Sequence, residues 1–185
     1  LIYKEEHIDV ALESLNGFLI SPKELPVSLK GIMHYEPGIL AIDSLELESD
    51  LNRFKGALTL TGKDNTLKNV FTSGSVKLVI SEGSLHVGDF LEKPSYFKNM
   101  DTFAISLTAE GPLNELKFKN VKIANEAVSF DGSLDVQHLL DPEKPNFLLD
   151  IESMEILTAS FAEHIPNLEK NNNRYFELLE KIQFS

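Results

Sequence analysis

The stretch LAIDSLELESDLNRFKGALTL, residues 40–60, contains the pattern that decides the fold. Apolar side chains alternate with polar ones through Leu40 and Ile42, and the alternation resumes out of phase at Leu45 and Leu47. Alternation predicts β-strands with one apolar face, because successive side chains of a strand point to opposite sides. The change of phase predicts a bulge or a tight corner between Ile42 and Leu45.

The same pattern returns 76 residues later, where residues 116–136 read LKFKNVKIANEAVSFDGSLDV. Leu116 and Phe118 precede a second change of phase, and Val121 and Ile123 follow it. Without a gap, eight apolar positions of the first stretch fall on apolar positions of the second, and a glycine falls on a glycine. We interpret the two stretches as repeats. The alternative is that any two amphipathic strand pairs share such a pattern.

Further alternating runs extend through most of the chain. They are Leu58 and Leu60; Val76, Leu78 and Ile80; Phe103, Ile105 and Leu107; and Phe147, Leu149 and Ile151. Turn-forming pairs such as Glu82-Gly83 and Gly111-Pro112 are expected to separate the strands, whereas Asp131-Gly132 fits a bulge as readily as a turn. These patterns predict an all-β fold of repeated short strands, forming a single segment over residues 1–185.

Two stretches depart from the β pattern. Residues 95–100 are expected to form one helical turn after Pro94. Near the C-terminus, apolar residues at helical spacing predict a helix over about residues 172–181, within a helix-bearing insertion at about 160–181.

The composition narrows the classes of partner. Asp and Glu outnumber Lys and Arg by 29 to 17, so the net charge is −12, and we expect no binding to the phosphate backbone of nucleic acid. The chain has no cysteine, which excludes a disulfide framework and a thiolate metal site. No apolar stretch approaches the roughly 20 residues of a membrane-spanning helix.

Residues for catalysis or metal binding are not grouped in the sequence. The histidines, which stand singly, are His7, His34, His86, His138 and His164. Phosphate-binding loops and the common hydrolase and zinc motifs are absent. We therefore predict no catalytic residues, no metal site, no cofactor and no enzymatic activity.

One local basic cluster consists of Lys117, Lys119 and Lys122. Lysines on an exposed strand ordinarily keep that strand soluble. Contact with anionic lipid headgroups is the alternative function.

A sheet that is apolar on one face must cover that face. It can pack against a second sheet, close into a barrel or curl around something apolar. The first two choices fill the interior with the protein's own side chains, whereas a curled sheet leaves a trough. The alternation alone does not decide among them.

The second half of the chain contains a characteristic order of elements. These are Asp89-Phe90-Leu91 ahead of Tyr96-Phe97 and Met100, LTAEGPLNELKFKNV at 107–121, FDGSLDV at 130–136, Asp141-Pro142, FLLDI at 147–151 and, after a polar segment, Ile182-Gln183-Phe184. In this order, residues 89–185 resemble the periplasmic β-rich region of the TamB proteins, the inner-membrane subunits of the translocation and assembly module, especially those of Bacteroidota. The chain departs from the family at Leu139-Leu140-Asp141-Pro142, where a Gly-Leu-Pro turn is more usual.

The resemblance implies a curled, taco-like β-sheet groove related to AsmA-like and bridge-type lipid transfer proteins. It implies a periplasmic location, within a protein anchored elsewhere in the inner membrane, and phospholipid acyl chains as ligands. It also implies an outer-membrane barrel partner, contacted through parts of the full-length protein outside this chain. The function implied is phospholipid transport to the outer membrane or assembly of proteins in it.

The residues expected to line this lipid groove are the inward members of the alternating runs. They are Val76, Leu78, Ile80, Phe103, Ile105, Leu107, Phe118, Phe130, Leu134, Val136, Phe147, Leu149 and Ile151. The alternative function is a structural or interaction module that pairs with another chain through a sheet edge.

Overall fold

The computed structural model describes residues 7–20, 24–87, 102–139 and 145–157. Its strands are β1 (Ile8–Ile20), β2 (Glu24–Glu36), β3 (Ile39–Ser49), β4 (Asn52–Thr61), β5 (Ser75–His86), β6 (Thr102–Gly111), β7 (Glu115–Ala124), β8 (Val128–Gln137) and β9 (Asn146–Ile156). Between β4 and β5 lie a 3₁₀ turn (Lys63–Asn65) and the short helix α1 (Val70–Ser73). The predicted helical turn at 95–100 and the C-terminal helical insertion lie outside the described residues.

The nine strands form one antiparallel sheet in which the order in space is the order in sequence. Each strand pairs with its neighbours in the chain, and the sheet curls without closing. β1 and β9 are the two edges of this described sheet. The structure therefore confirms the all-β, curled-sheet prediction.

A single line of bulges crosses the whole sheet, and we call this line the crease. All eight strand pairs contain one register shift, and the shifts lie side by side. Successive residues on one face of a strand are normally two apart, but in the odd-numbered strands they are three apart at the crease. These steps are Leu12 to Leu15, Ile42 to Leu45, Ile80 to Gly83, Phe118 to Val121 and Ile151 to Met154. The even-numbered strands keep their alternation throughout. A bulge bends its strand and increases the local twist, so a line of bulges favours a curl along the crease.

The crease confirms both predicted changes of phase. Ser44 and Asn120, at equivalent places in β3 and β7, share a left-handed φ of 50°. The β3–β4 and β7–β8 pairs also have the same register: Leu45 lies opposite Gly56, and Val121 lies opposite Gly132. Positions 76 residues apart thus occupy equivalent places in the sheet.

Two glycines allow neighbouring backbones to approach closely at the crease. A Cβ on Gly56 would overlap the carbonyl oxygen of Val79 and lie 2.8 Å from its carbonyl carbon. A Cβ on Gly132 would overlap the carbonyl oxygen of Asp150 and lie 2.9 Å from Cζ of Phe130. Only glycine fits at either place without a shift of the partner strand.

The predicted turn at Glu82-Gly83 is wrong, because both residues lie inside β5. Gly83 pairs with Ile105 immediately after the register shift of this strand, so the pair belongs to a bulge. Asp131-Gly132 likewise lies within β8, beside the shift in the β8–β9 pair. The pair is therefore neither a turn nor a bulge of its own strand, because the extra residue of this shift belongs to β9.

Candidate functional site

One face of the sheet, which we call the inner face, carries an unbroken row of apolar residues on one side of the crease. Following the paired positions from β1 to β9, this first row consists of Val10, Met33, Ile42, Leu58, Leu78, Ala109, Phe118, Leu134 and Leu149. Directly paired residues share a face, so these nine side chains form one continuous line. No charged residue interrupts it.

A second row crosses all nine strands on the other side of the crease. It consists of Leu15, Leu29, Leu47, Phe54, Gly83, Ile105, Ile123, Phe130 and Met154. Gly83 has no side chain, and its place is filled by neighbours: a Cβ there would lie 2.7 Å from Cγ2 of Ile105 and 2.8 Å from Cδ1 of Phe54. The second row is therefore apolar along its whole length as well.

The inner face is only partly covered. In the described part of the chain, no large side chain is fully buried, and the few buried apolar residues include Ile42, Leu45 and Val121 near the crease. Most other residues of the two rows are half-buried, while the edge strand β9 leaves Phe147 and Leu149 more than half exposed, at 59% and 53%. A second sheet packed on this face would bury such residues to well under a tenth. Within the part of the chain that the structure describes, the face therefore forms an open trough.

All thirteen predicted groove residues lie on this inner face, as the paired registers require. Val136 is buried, Phe147, Leu149 and Ile151 are exposed, and the others are half-buried. The prediction did not include the contribution of β1 to β4, which supply residues such as Ile42 and Leu58 to the first row. Their signal is present in the sequence, because Leu12 and Leu15 repeat the three-residue step of Ile42 and Leu45.

The opposite, outer face carries alternating charges. Lys77, Glu110, Lys117 and Asp135 lie opposite one another in successive strands. Lys119 is also ion-paired with Glu110, and the hydrogen bond from this lysine is the main cause that lowers the pKa of the Glu110 carboxyl.

The predicted basic cluster belongs to this outer face. Nζ of Lys122 lies 3.2 Å from Oδ2 of Asp131, and Lys119 pairs with Glu110. Two of the three lysines are thus matched by carboxylates of neighbouring strands. This arrangement fits the solubilising role better than a free cationic patch for lipid headgroups.

Two depressions elsewhere on the surface differ from the trough. One, of about 500 Å³, includes Asn16, Phe18 and Glu48 near one end of β1 to β3. The other, of about 250 Å³, includes Ser81, Glu82 and Lys122 beside the crease. Each combines polar and apolar groups, whereas the two rows of the inner face are continuously apolar.

A second candidate site lies on the outer face of β1 and β2. His7, Asp9 and His34 place one ligand atom each within 4.8 Å of one another. The sequence shows these histidines 27 residues apart, and only the β1–β2 register brings them together.

A scan of protein-family models, a search of curated proteins and a search of solved structures each give no significant match to this chain. Among the described residues, no helix has the length and apolar character needed to cross a membrane.

Proposed function

We propose that the inner face shields phospholipid acyl chains from water, so that this chain is a segment of a lipid-binding and lipid-conducting groove. The observation that carries the proposal is the first apolar row, which crosses all nine strands without a charged residue and remains partly open to solvent. The second row provides a parallel apolar strip on the other side of the crease.

The dimensions of the sheet suit a long apolar ligand. Its eight inter-strand spacings, at about 4.8 Å each, give a track on the order of 38 Å measured across the strands. Each acyl methylene removed from water contributes about 0.8 kcal/mol and needs no directional partner. A ligand held in this way can slide from one strand to the next with little change in free energy, as transport requires.

The proposed setting comes from the resemblance of residues 89–185 to the TamB proteins. In that setting the groove lies in the periplasm and supports phospholipid transport to the outer membrane, or protein assembly in it. Contacts with an outer-membrane barrel partner are made by parts of the full-length protein outside this chain.

The edges of the sheet favour a second candidate function, strand addition to a partner. On edge strand β9, Leu148 of the outer face and Leu149 of the inner face are 69% and 53% exposed. A partner strand hydrogen-bonded to this edge would cover side chains on both faces. An acyl chain in the groove would cover side chains of the inner face alone. Strand addition would therefore bury Leu148, whereas lipid binding would leave it exposed.

The test places a benzophenone amino acid at Leu149 or, in a matched control chain, at Leu148. Each chain is mixed with vesicles of phosphatidylethanolamine and phosphatidylglycerol, irradiated and analysed by mass spectrometry. We expect phospholipid adducts from position 149 and a yield about ten-fold lower from position 148, because the outer-face row of Leu148 continues through Asp135 and Lys117 and is not a continuous apolar surface. Position 118, in the middle of the first row, should also give adducts.

The outcomes separate the two functions. No lipid adduct from positions 149 and 118, or equal yields from 148 and 149, would contradict the groove. Protein adducts from both 148 and 149 in cells would support strand addition at the β9 edge.

A charge on the inner face provides an independent prediction. Leu149→Asp should reduce the amount of bound phospholipid about ten-fold, since an aspartate beside acyl chains costs about 2.5–3.5 kcal/mol at full burial and less at this exposed edge. Leu148→Asp should leave it unchanged. Both leucines are more than half exposed, so the two variants should have similar melting temperatures; lipid binding that is equal in both variants would contradict the prediction.

A further inference from the structure

Five titratable side chains meet on the outer face of β1, β2 and β3. His7 directly precedes β1 and Asp9 lies at its start, His34 and Glu36 lie at the end of β2, and Asp43 lies in β3. Asp9 lies directly opposite His34 in the β1–β2 pair. All five point away from the apolar rows, so this cluster is separate from the trough.

Two imidazoles converge on one carboxylate oxygen. Oδ1 of Asp9 lies 2.9 Å from Nε2 of His7 and 2.6 Å from Nδ1 of His34. The two rings are nearly parallel, with centroids 6.3 Å apart and an angle of 24° between their planes. Nitrogen ligands on both sides of one carboxylate oxygen are a donor set that suits zinc and similar divalent ions.

The remaining ring nitrogens face two further carboxylates. Nδ1 of His7 lies 3.2 Å from Oε1 of Glu36, and Nε2 of His34 lies 3.4 Å from Oδ2 of Asp43. Histidines that bind metals commonly donate the second ring N–H to a carboxylate, which fixes the tautomer and raises the basicity of the ligating nitrogen. Here each histidine has such a partner on the side away from Asp9.

We propose that His7, Asp9 and His34 bind a divalent transition-metal ion such as Zn²⁺, with Glu36 and Asp43 orienting the two imidazoles. Three carboxylates surround two histidines in a chain of net charge −12, so the electrostatic field also favours a cation. Water would occupy the remaining coordination position.

To hold an ion, Asp9 would have to open slightly from both imidazoles, and the two ligating imidazole nitrogens, which lie within 4.8 Å of each other, would have to take up the ligand separation of the ion. A tetrahedral ion with bonds of about 2.0–2.1 Å separates its ligands by about 3.3 Å, roughly 0.5 Å more than the present distances from Asp9 to the two imidazoles. Asp9 and His7 are about half exposed and His34 is one-third exposed, so their rotamers are free to open. The hydrogen bond from His34 is the main cause that lowers the pKa of Asp9.

The proposed ion would hold the first strand in place. β1 has a neighbour only on its β2 side within the described sheet, and His7 directly precedes its first residue. An ion shared by His7, Asp9 and His34 would therefore fasten the start of this edge strand to β2. Binding to the folded state alone would raise the melting temperature as the metal concentration rises.

The test is calorimetric titration of the 185-residue chain with zinc chloride at neutral pH, with melting temperatures measured in zinc and in chelator. We expect one ion per chain, and loss of this single-site binding in His7→Gln and in His34→Gln. Glu36→Gln, which alters only an orienting group, should weaken binding about 10-fold to 100-fold.

His86→Gln provides the matched control. His86 also lies in a strand, with Nδ1 3.3 Å from Oγ1 of Thr102, and belongs to no described metal-ligand group. Its replacement should leave zinc binding unchanged. Equal zinc binding by the wild type and a His7→Gln/His34→Gln double variant would overturn the proposal, as would an equal loss in His86→Gln. If zinc raises the melting temperature of the double variant as much as that of the wild type, the proposed fastening of β1 is wrong.

Discussion

Deletion of Asn120 is expected to lower the free energy of unfolding by about 4 kcal/mol. Asn120 lies at the bulge of β7, and removing one residue there reverses the facing of every following residue in the strand. Val121 and Ile123 would turn outward and Lys122 would turn toward the apolar rows. Each of these two apolar side chains contributes about 2 kcal/mol when it is buried, so moving both to the outer face removes a large part of a typical domain's total stability.

The matched control is Asn120→Gly, which keeps the residue count and the bulge. Glycine adopts the observed φ of 50° without a steric penalty, so the control should be as stable as the wild type or slightly more stable. Urea unfolding followed by circular dichroism gives the midpoint of each variant. Equal midpoints for the deletion and the glycine variant would show that the bulge does not set the facing of β7.

Replacement of Gly56 by valine is expected to destabilise the chain by a similar amount, about 4 kcal/mol. The added Cβ would overlap the carbonyl oxygen of Val79, a backbone atom of the paired strand that cannot rotate away. β4 lies between β3 and β5, so relief requires opening the ladder inside the sheet. Valine's ordinary preference for strands is too small to compensate, because the whole β-propensity scale spans only about 1 kcal/mol.

Gly17→Val provides the comparison on β1. A Cβ on Gly17 would have no neighbour within 4 Å, so this variant should match or exceed the wild type in stability. Both exchanges add the same side chain to a strand glycine and differ in the space available. Melting temperatures that fall equally in the two variants would contradict the close approach at Gly56.

Much of the fold was predictable from local patterns. The steps from Ile42 to Leu45 and from Phe118 to Val121 are visible because large apolar residues flank them. The corresponding step in β5 ends on Gly83, which has no side chain to mark its facing, and the sequence Ser-Glu-Gly has the composition of a turn. For this reason the bulge in β5 was mistaken for a chain reversal.

The candidate sites differ in how far local sequence could predict them. The inward members of β5 to β9 followed from alternation, because facing within a strand depends only on residue parity and the bulges. The meeting of His7, Asp9 and His34 depends on the register between β1 and β2. Register is a property of two strands together, so neither strand alone contained that signal.

The alternation of bulged and plain strands also affects how such a protein can evolve. Each bulged strand and the plain strand after it form a hairpin that carries its own bend, so duplicating the corresponding DNA would lengthen the trough by about 10 Å without changing its cross-section. Selection can then lengthen or shorten the trough simply by changing the number of hairpins. The ancestry of such a chain would be recorded in the spacing of its bulges more durably than in its residue identities.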